Sequence, residues 1–209
     1  FTDMRDHYAM RYLVSDKDLI FNLAGQVSHI DSMENPFQDL DINTSSQLQL
    51  LELCRHHNPS ARIVLTSTRQ VYGKPQYLPV DEIHPIQPID VNGIHKLAAE
   101  HYHRLYYDIY GIPSVILRLT NTYGPRQLVK HNRQGFTGTF IRQAVEGKTI
   151  QLFETGEQRR DFNYIDDVVE ALLIVGENPK VIGNTYNLGA PESYSLKEFV
   201  ICLKELCSF

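Results

Sequence analysis

Three short apolar segments, separated by longer stretches of helical periodicity, constrain the fold of this chain most strongly. The segments cover residues 18–25 (DLIFNLAG), 61–67 (ARIVLTS) and 114–119 (SVILRL). Each has the length and the apolar content of a buried strand. Between them, apolar positions recur at helical spacing over residues 36–57 and 94–110. Strands that alternate with helices in this way predict a doubly wound parallel sheet of the α/β class.

The predicted strands end in small or polar residues that suit a ligand site. Gly25 closes the first strand, residues 66–68 close the second, and Thr120 and Asn121 follow the third. Because the carboxyl ends of parallel strands meet at one edge of the sheet, we expect these groups to lie along that edge. Open α/β sheets bind their ligands there.

The sequence changes in texture after Gly124 and Pro125, which predicts a second structural part. A polar, glycine-containing loop over residues 126–138 comes first. Shorter helical and strand-like segments follow, at residues 140–145, 149–153, 166–175 and 185–188. The predicted division is a sheet domain at residues 1–125 and a partial smaller lobe at residues 126–209 that shares elements with it.

Both ends of the chain are expected to be truncated. The chain opens with the polar segment FTDMRDH, without the glycine-rich turn that would cradle a pyrophosphate. It closes directly after one amphipathic helix, which Ser195 and Glu198 would begin as a capping box.

The charge and composition of the chain limit which kinds of partner and which cellular compartment we expect for it. A formal charge of −5 gives no electrostatic reason to expect nucleic acid or an anionic membrane as a partner. No apolar run approaches the roughly 18 residues that a membrane-spanning helix needs. The three cysteines form no C-x-x-C pair, which favours a reducing, cytoplasmic setting. The histidines have no spacing typical of a metal site, so we predict no metal.

Residues 88–100 (PIDVNGIHKLAAE) carry the strongest chemical signal in the chain. Lys96 lies one helical turn after Asn92, so both side chains occupy one face of the predicted helix. A lysine ammonium at that position can hold ligand hydroxyl groups. Thr68, just beyond the second strand, could bond a substrate hydroxyl or keto oxygen. Taken together at parallel strand ends, these residues favour a binding site over isolated surface groups.

A second candidate cluster lies in the C-terminal part of the chain. Arg160 precedes a predicted helix with an acidic first turn, and an arginine there could clamp a diphosphate bidentately. The alternative is a surface pair with Asp161. Asn121 could bind phosphate or sugar through its amide, or complete a turn.

Several motifs in fixed order connect these observations to a known family. They are DMRD, NLAG, TST followed by VYG, NGIHK followed by AAE, LRLTNTYGPR, and RRDFNYIDDVVEALL. In this order the chain resembles the extended short-chain dehydrogenase/reductase family, and within it the nucleotide-sugar epimerases and dehydratases. The resemblance runs from Asp3 to about Leu196.

The resemblance implies a Rossmann-type domain that holds NAD and a smaller C-terminal lobe that holds a nucleotide-diphosphate sugar. It implies that Lys96 binds the nicotinamide ribose and that Thr68 is the catalytic Ser/Thr. Asn121 and Arg160 match positions that contact substrate phosphates. It further implies that Asp3 and Met4 flank the adenine. Leu23, Ala24 and Gly25 would line the cofactor's diphosphate and ribose, and Asn43 would support their loop. Thr66 and Thr120 would border the nicotinamide.

Two departures from the family pattern bear on the chemistry. The family's general base is a tyrosine four residues before the lysine, where this chain has Asn92, and an amide has no proton that titrates near neutrality. His95, Tyr72, Asp90 and Tyr123 are alternative bases. Helical geometry turns His95 about 100° away from Lys96. Dehydratases also carry an Asp-Glu pair after the catalytic threonine, and Arg69-Gln70 stands here, which counts against that reaction.

The function predicted from the sequence is NAD-dependent epimerisation of a nucleotide-diphosphate sugar through a transient keto sugar. A nucleotide-sugar 4,6-dehydratase or reductase is one alternative. A protein that binds NAD and nucleotide sugar but lacks the redox step is the other. The resemblance also implies a homodimer that pairs through the helix carrying Lys96.

Overall fold

A computed structural model describes residues 2–130, 135–152 and 154–207 and confirms the α/β class. Its helices are α1 (His7–Val14), α2 (His29–Glu34), α3 (Pro36–Leu40), α4 (Ser46–His57), α5 (Val91–Tyr110), α6 (Phe136–Val145), α7 (Ile165–Glu177) and α8 (Leu196–Cys207). Its strands are β1 (Leu19–Asn22), β2 (Arg62–Thr68), β3 (Ser114–Leu119), β4 (Asn121–Tyr123), β5 (Arg159–Tyr164), β6 (Thr185–Leu188) and β7 (Ser193–Ser195).

The larger of two compact units comprises Phe1–Leu119 and Glu170–Asn187. Its sheet has the strand order β1-β2-β3-β6, and β2 pairs in parallel with both β1 and β3. Parallel neighbours require a crossover connection, and the helices between the strands provide it. The predicted doubly wound parallel sheet is therefore confirmed.

An apolar core fixes α1, α4 and α5 against one side of this sheet. Leu50, Leu51 and Ile63 are buried and belong to one cluster with residues of α1 and α5. A second cluster joins Leu65 of β2 to Ala99 of α5. Because burying each such side chain contributes about 1.5–3 kcal/mol, these contacts set where α5 lies on the sheet.

Both ends of α5 are fixed by its own sequence. At the start, the Asp90 carboxylate accepts a hydrogen bond of 2.6 Å from the Gly93 amide. At the end, Gly111 adopts a left-handed conformation (φ 69°) that only glycine adopts without strain. The amide of Gly111 bonds the carbonyl of Tyr107, and the amide of Ile112 bonds that of Tyr106. The predicted helix end at Gly111 is thus confirmed.

The single helix predicted over residues 36–57 is wrong in its middle. A π-helical turn at Asp41–Ser45 separates α3 from α4. This turn places the Asn43 side chain in a fully buried position. Wide turns of this kind are often found at functional sites, where they redirect one side chain. Periodicity alone could not reveal the turn, because its residues remain compatible with a helix.

The smaller unit comprises Thr120–Val169 and Leu188–Phe209. Its sheet has the order β4-β5-β7, with β5 parallel to β4 and antiparallel to β7. The rings of Phe136, Phe140, Phe162 and Phe199 pack together against it. The predicted capping box is confirmed, since Ser195 and Glu198 exchange backbone-to-side-chain hydrogen bonds.

The strand predicted at residues 149–153 is not found. Residues 149–152 are irregular, and Phe153 lies outside the described residues. Ile150 and Leu152 instead pack against the core between α6 and α8. Two apolar side chains can be buried against helices in this way without hydrogen bonds to a neighbouring strand.

The described part of the chain bears on two expectations, the lack of a membrane-spanning helix and the state of the cysteines. Within it, no helix combines the length and apolar composition needed to cross a bilayer. Cys54, Cys202 and Cys207 are free thiols. Burial raises the pKa of the Cys54 thiol to about 12, so this side chain behaves as a small apolar core residue.

Candidate functional site

Lys96 is the centre of the candidate site in the larger unit. It lies on the second turn of α5, and only 7% of the residue is exposed. Its ammonium nitrogen is 3.5 Å from the carbonyl oxygen of Thr66, at the carboxyl end of β2. Burial lowers the pKa of Lys96 to about 8, although Asp39 and Glu100 favour its charged form. A buried amine with so few partners is suited to bind ligand hydroxyl groups.

The loop that follows β1 leaves space for this lysine. A Cβ atom on Gly25 would lie 2.6 Å from the Lys96 nitrogen and 2.9 Å from the Asn43 side-chain oxygen. A side chain at position 25 would therefore force Lys96 or Asn43 to move away from the loop at this point. Such a close approach beside a buried ammonium fits a cofactor whose sugar hydroxyls and phosphates must come near the backbone.

Asn43 holds the same loop by two hydrogen bonds. Its side-chain oxygen accepts from the Gln26 amide at 3.0 Å, and its side-chain nitrogen donates to the Gln26 carbonyl at 3.1 Å. The π turn described above is what carries Asn43 to this position. The role predicted for Asn43, support of the cofactor loop, agrees with these contacts and remains a prediction.

Asn92 occupies the position where the family pattern has tyrosine, and its side chain is directed into the protein. It is 2% exposed. Its amide nitrogen donates to the Gln26 carbonyl at 2.8 Å and lies 3.3 Å from a carboxylate oxygen of Asp39 and 3.4 Å from the Ser32 hydroxyl. Asn92 therefore joins α5 to the loop after β1 and to α2 and α3.

Asp39 is the buried hub of this hydrogen-bond network. It accepts a hydrogen bond from Ser32, and one carboxylate oxygen lies 2.7 Å from His95 Nδ1. Burial opposes its ionisation, but hydrogen bonds from Ser32, Asn43, His95 and Asn92 outweigh burial and hold the pKa of this carboxyl below its usual range. The side chain of His95 is thus committed to Asp39.

Thr68 lies at the end of β2, and its hydroxyl belongs to a different chain of polar groups. It accepts a hydrogen bond from the Gln70 amide at 3.2 Å and lies 3.3 Å from the Gln70 side-chain oxygen. Gln70 in turn donates to Asp90 at 3.4 Å, and Asp90 lies 3.3 Å from His29 Nδ1.

A cavity of about 250 Å³ lies beside the first predicted cofactor residues. It is lined by Thr2, Asp3, Met4, Arg5, Ala24, Ile42 and Ser46. Hydrogen bonds from Arg5, first from its side chain and then from its backbone, lower the pKa of Asp3 to about 2. Asp3 is therefore an ionised acceptor at neutral pH. Asp3, Met4 and Ala24, for which cofactor contacts are predicted, lie together beside this cavity, and Leu23 is exposed in the same loop.

Three further predicted residues belong to the smaller unit. The Thr120 hydroxyl accepts a hydrogen bond of 2.7 Å from Asn163, and the Asn121 side chain donates to the Asp161 carbonyl at 3.0 Å. Arg160 is half-buried, and its guanidinium bonds the carbonyl of its neighbour Arg159 at 2.7 Å. Thr120 and Asn121 thus already have protein partners, whereas Arg160 retains donors for an anion.

Sequence reasoning missed Gln26, Ser32 and Asp39, which surround Asn92. The segment after Gly25 contains Gln26, Ser28, His29, Asp31 and Ser32, which is unusually polar for residues that follow a buried strand. That density was a usable signal. Tyr72, an alternative base, is excluded by its contacts: it is buried, donates to Asn187 and accepts from Arg118, each at 2.7 Å.

The depressed pKa of Lys96 predicts how stability depends on pH. Between about pH 8 and 10.5 the unfolded chain still binds this proton, whereas the folded protein has released it. The free energy of unfolding of the protein, minus that of a Lys96→Met variant, should therefore rise with pH across this window. Urea unfolding of both proteins at several pH values measures the difference. A difference that stays flat, or that falls with pH, would show that Lys96 is solvated.

Comparison with known proteins gives a family match over most of the chain. The model of the NAD-dependent epimerase/dehydratase family matches residues 1–189. CDP-paratose 2-epimerase of Salmonella typhi is 32% identical over 91% of this chain and 63% of the relative. UDP-glucuronic acid decarboxylase 1 of Xenopus tropicalis is 31% identical over 98% of this chain and 48% of the relative.

A solved structure shows the same fold. The UDP-glucose 4-epimerase of Thermotoga maritima, crystallised with UDP-glucose, superposes with a TM-score of 0.93 at 28% identity. The match covers 100% of this chain and 67% of that one. The chain spans about half to three-fifths of the length of the curated relatives it matches.

Proposed function

Because the chain belongs to the NAD-dependent epimerase/dehydratase family, we propose that it binds NAD and alters a nucleotide-diphosphate sugar, by epimerisation through a transient keto sugar. The observation that carries the proposal is the buried Lys96 ammonium beside the Gly25 loop. A cation buried at the carboxyl end of a parallel strand, next to a glycine whose missing side chain leaves room for it, is suited to hold a dinucleotide.

The larger unit supplies most of the proposed cofactor contacts. Lys96 would donate to the hydroxyls of the nicotinamide ribose, and ionised Asp3 would accept from the adenosine end. The backbone of residues 23–25 would approach the ribose and diphosphate, held in place by Asn43. Met4 would flank the adenine, and Thr66 and Thr120 would border the nicotinamide. The chemistry that bound NAD would supply is oxidation of a ring carbon of the sugar by removal of a hydride, and the later return of that hydride.

The proposed substrate contacts are fewer. The Thr68 hydroxyl would bond the reacting oxygen of the sugar and polarise it. Asn121 and Arg160 would bind the diphosphate, and Arg160 is the stronger anchor because a guanidinium can bond two phosphate oxygens at once. We propose no elimination chemistry, because Arg69 and Gln70 stand where a dehydratase carries its Asp-Glu pair.

The buried position of Asn92 supports a second candidate, a protein that binds both ligands without the redox step. The Asn92 amide is bonded to Gln26 and Asp39 and has no titratable proton near neutrality. If no other residue accepts the hydroxyl proton, hydride transfer stops and binding alone remains. Ligand binding without exchange of the sugar's carbon-bound hydrogen is the signature of this candidate.

The experiment that tests the proposal uses the protein with NAD and several nucleotide sugars: UDP-glucose, UDP-glucuronic acid, dTDP-glucose and CDP-paratose. NADH formation is followed by absorbance and the sugar products by NMR. The proposal expects NADH, or an epimer, with at least one sugar. Binding of NAD and sugar without either product would favour the second candidate, and the absence of binding would contradict both.

Asn92 offers a separate prediction, because its side chain supports the cofactor loop. Asn92→Ala should lower the free energy of unfolding by about 1–3 kcal/mol, since it removes a buried donor from the Gln26 carbonyl and from the Asp39 carboxylate. It should also weaken NAD binding. Asn35→Ala is the matched control, because Asn35 is exposed and its side chain makes no capping bond. Equal effects of the two substitutions in urea unfolding would contradict the proposed support of the loop.

We also propose a cytoplasmic homodimer. Ile94, Leu105 and Ile109 are exposed apolar residues on α5, the helix that carries Lys96. An unpaired apolar helix face favours association with a second copy. Sedimentation of the protein tests this, and a monomer at micromolar concentration would contradict it.

A further inference from the structure

The imidazole of His29 and the carboxylate of Asp90 lie next to each other, beside the residues assigned to the reaction. His29 begins α2, directly after the loop that contains Gly25, and Asp90 caps α5, two residues before Asn92. The Nδ1 atom of His29 lies 3.3 Å from one carboxylate oxygen of Asp90. Asp90 is 7% exposed, whereas the His29 side chain is 57% exposed. A buried carboxylate therefore lies within contact distance of an imidazole that is more than half exposed.

The two carboxylate oxygens of Asp90 have different partners. One accepts the capping bond from the Gly93 amide, which fixes the carboxylate in place. The other faces both His29 and the side-chain amide of Gln70, and Gln70 contacts the Thr68 hydroxyl. The pair is thus linked through one side chain to the hydroxyl proposed to bind the reacting oxygen. A carboxylate on Nδ1 favours the tautomer in which Nε2 is bare and can accept a proton.

We propose that His29 is the proton acceptor that replaces the tyrosine missing at position 92, and that Asp90 is its positioning residue. This inference rests on the proposed function. When the ring carbon is oxidised, its C–H electron pair leaves to NAD. The O–H bond then breaks, its electron pair becomes the second bond of the keto group, and the proton moves to His29 Nε2. On the return step the same proton goes back to the oxygen.

His95 is the competing histidine, and its surroundings favour a structural role. Its Nδ1 is 2.7 Å from Asp39, but its side chain is only 15% exposed. Asp39 is bonded to Ser32 and Asn92 rather than to Thr68 or its partners. The chain of groups that starts at Thr68 leads to His29.

The test combines a measurement on the free protein with a measurement of the reaction. NMR of protein with isotope-labelled histidine reports which ring nitrogen carries the proton. We expect His29 to carry it on Nδ1 when neutral, and Asp90→Asn, which keeps the capping oxygen, to shift this tautomer. A proton on Nε2, or no change in Asp90→Asn, would overturn the pairing.

The reaction is followed as NADH or epimer formed from the nucleotide sugar that reacts with the unsubstituted protein. His29→Gln should lower this rate about a hundredfold or more while NAD affinity, by calorimetry, stays within about twofold. His57→Gln, on an exposed histidine at the end of α4, should leave both unchanged. Full activity of His29→Gln, or a comparable loss confined to His95→Gln, would overturn the inference. An unsubstituted protein that forms neither NADH nor an epimer overturns the proposed function first.

Discussion

Lys96→Met is expected to make the protein more stable and much less able to bind NAD. Methionine fills a similar volume without a charge, and burial disfavours the Lys96 ammonium enough to lower its pKa to about 8. Its removal should therefore raise the free energy of unfolding at neutral pH by about 1–3 kcal/mol. The lost charge-assisted hydrogen bonds to the ribose should weaken NAD binding about tenfold to a hundredfold.

Urea unfolding and calorimetric titration with NAD measure these two effects separately. A lysine on the exposed face of the smaller unit, Lys197, gives a matched Lys→Met control that should change neither quantity by much. If Lys96→Met destabilises the protein and leaves NAD affinity unchanged, then Lys96 is a structural residue and the assignment of the site fails.

Glu100→Gln is expected to cost far more stability than any surface substitution on the same helix. Glu100 and Arg118 form an ion pair of 2.6 Å, with side chains 5% and 6% exposed. Ser67 also donates to Glu100, and Tyr72 accepts from Arg118 at 2.7 Å. Neutralising Glu100 leaves a buried guanidinium without its counter-charge, which costs about 3–5 kcal/mol.

The helix offers its own control for this prediction. Asp108 pairs with Arg104 at 2.9 Å on the exposed face of α5. Asp108→Asn removes the same type of charge and should cost no more than about 0.5 kcal/mol. Urea unfolding of both variants gives the comparison. Similar losses in the two proteins would mean that the Glu100–Arg118 pair is not buried in solution.

The sheet could be predicted from the sequence because its signals are local. Each of the strands β1, β2 and β3 is a short apolar run with small or polar residues at its end or just after it. Helix α5 carries its cap at Asp90 and its stop at Gly111. These signals depend on residues a few positions apart, so periodicity and turn chemistry reveal them.

The role of Asn92 could not be predicted in the same way. Its partners Gln26, Ser32 and Asp39 lie more than fifty positions earlier in the chain, and the fold brings them together. The π turn that buries Asn43 is also invisible to periodicity, because a helix with one wide turn keeps nearly the same apolar pattern. From sequence, Asn92 was a substitution in a catalytic motif; in the structure, it is a buried contact of the loop proposed to hold the cofactor.

The loop at Gly25 and the buried Lys96 are proposed to bind NAD together. Calorimetric titration of NAD into the protein, a Gly25→Ala variant and a Gly111→Ala variant tests it most directly. The added methyl at position 25 would meet the Lys96 nitrogen at 2.6 Å. At position 111, at the far end of α5, an added methyl strains the left-handed backbone but meets no atom within 4 Å, so this variant controls for lost stability alone. We predict that Gly25→Ala weakens NAD binding about tenfold or more, as expected when a charge-assisted hydrogen bond is displaced, and that Gly111→Ala does not. Equal NAD affinity in the protein and in Gly25→Ala would contradict the account.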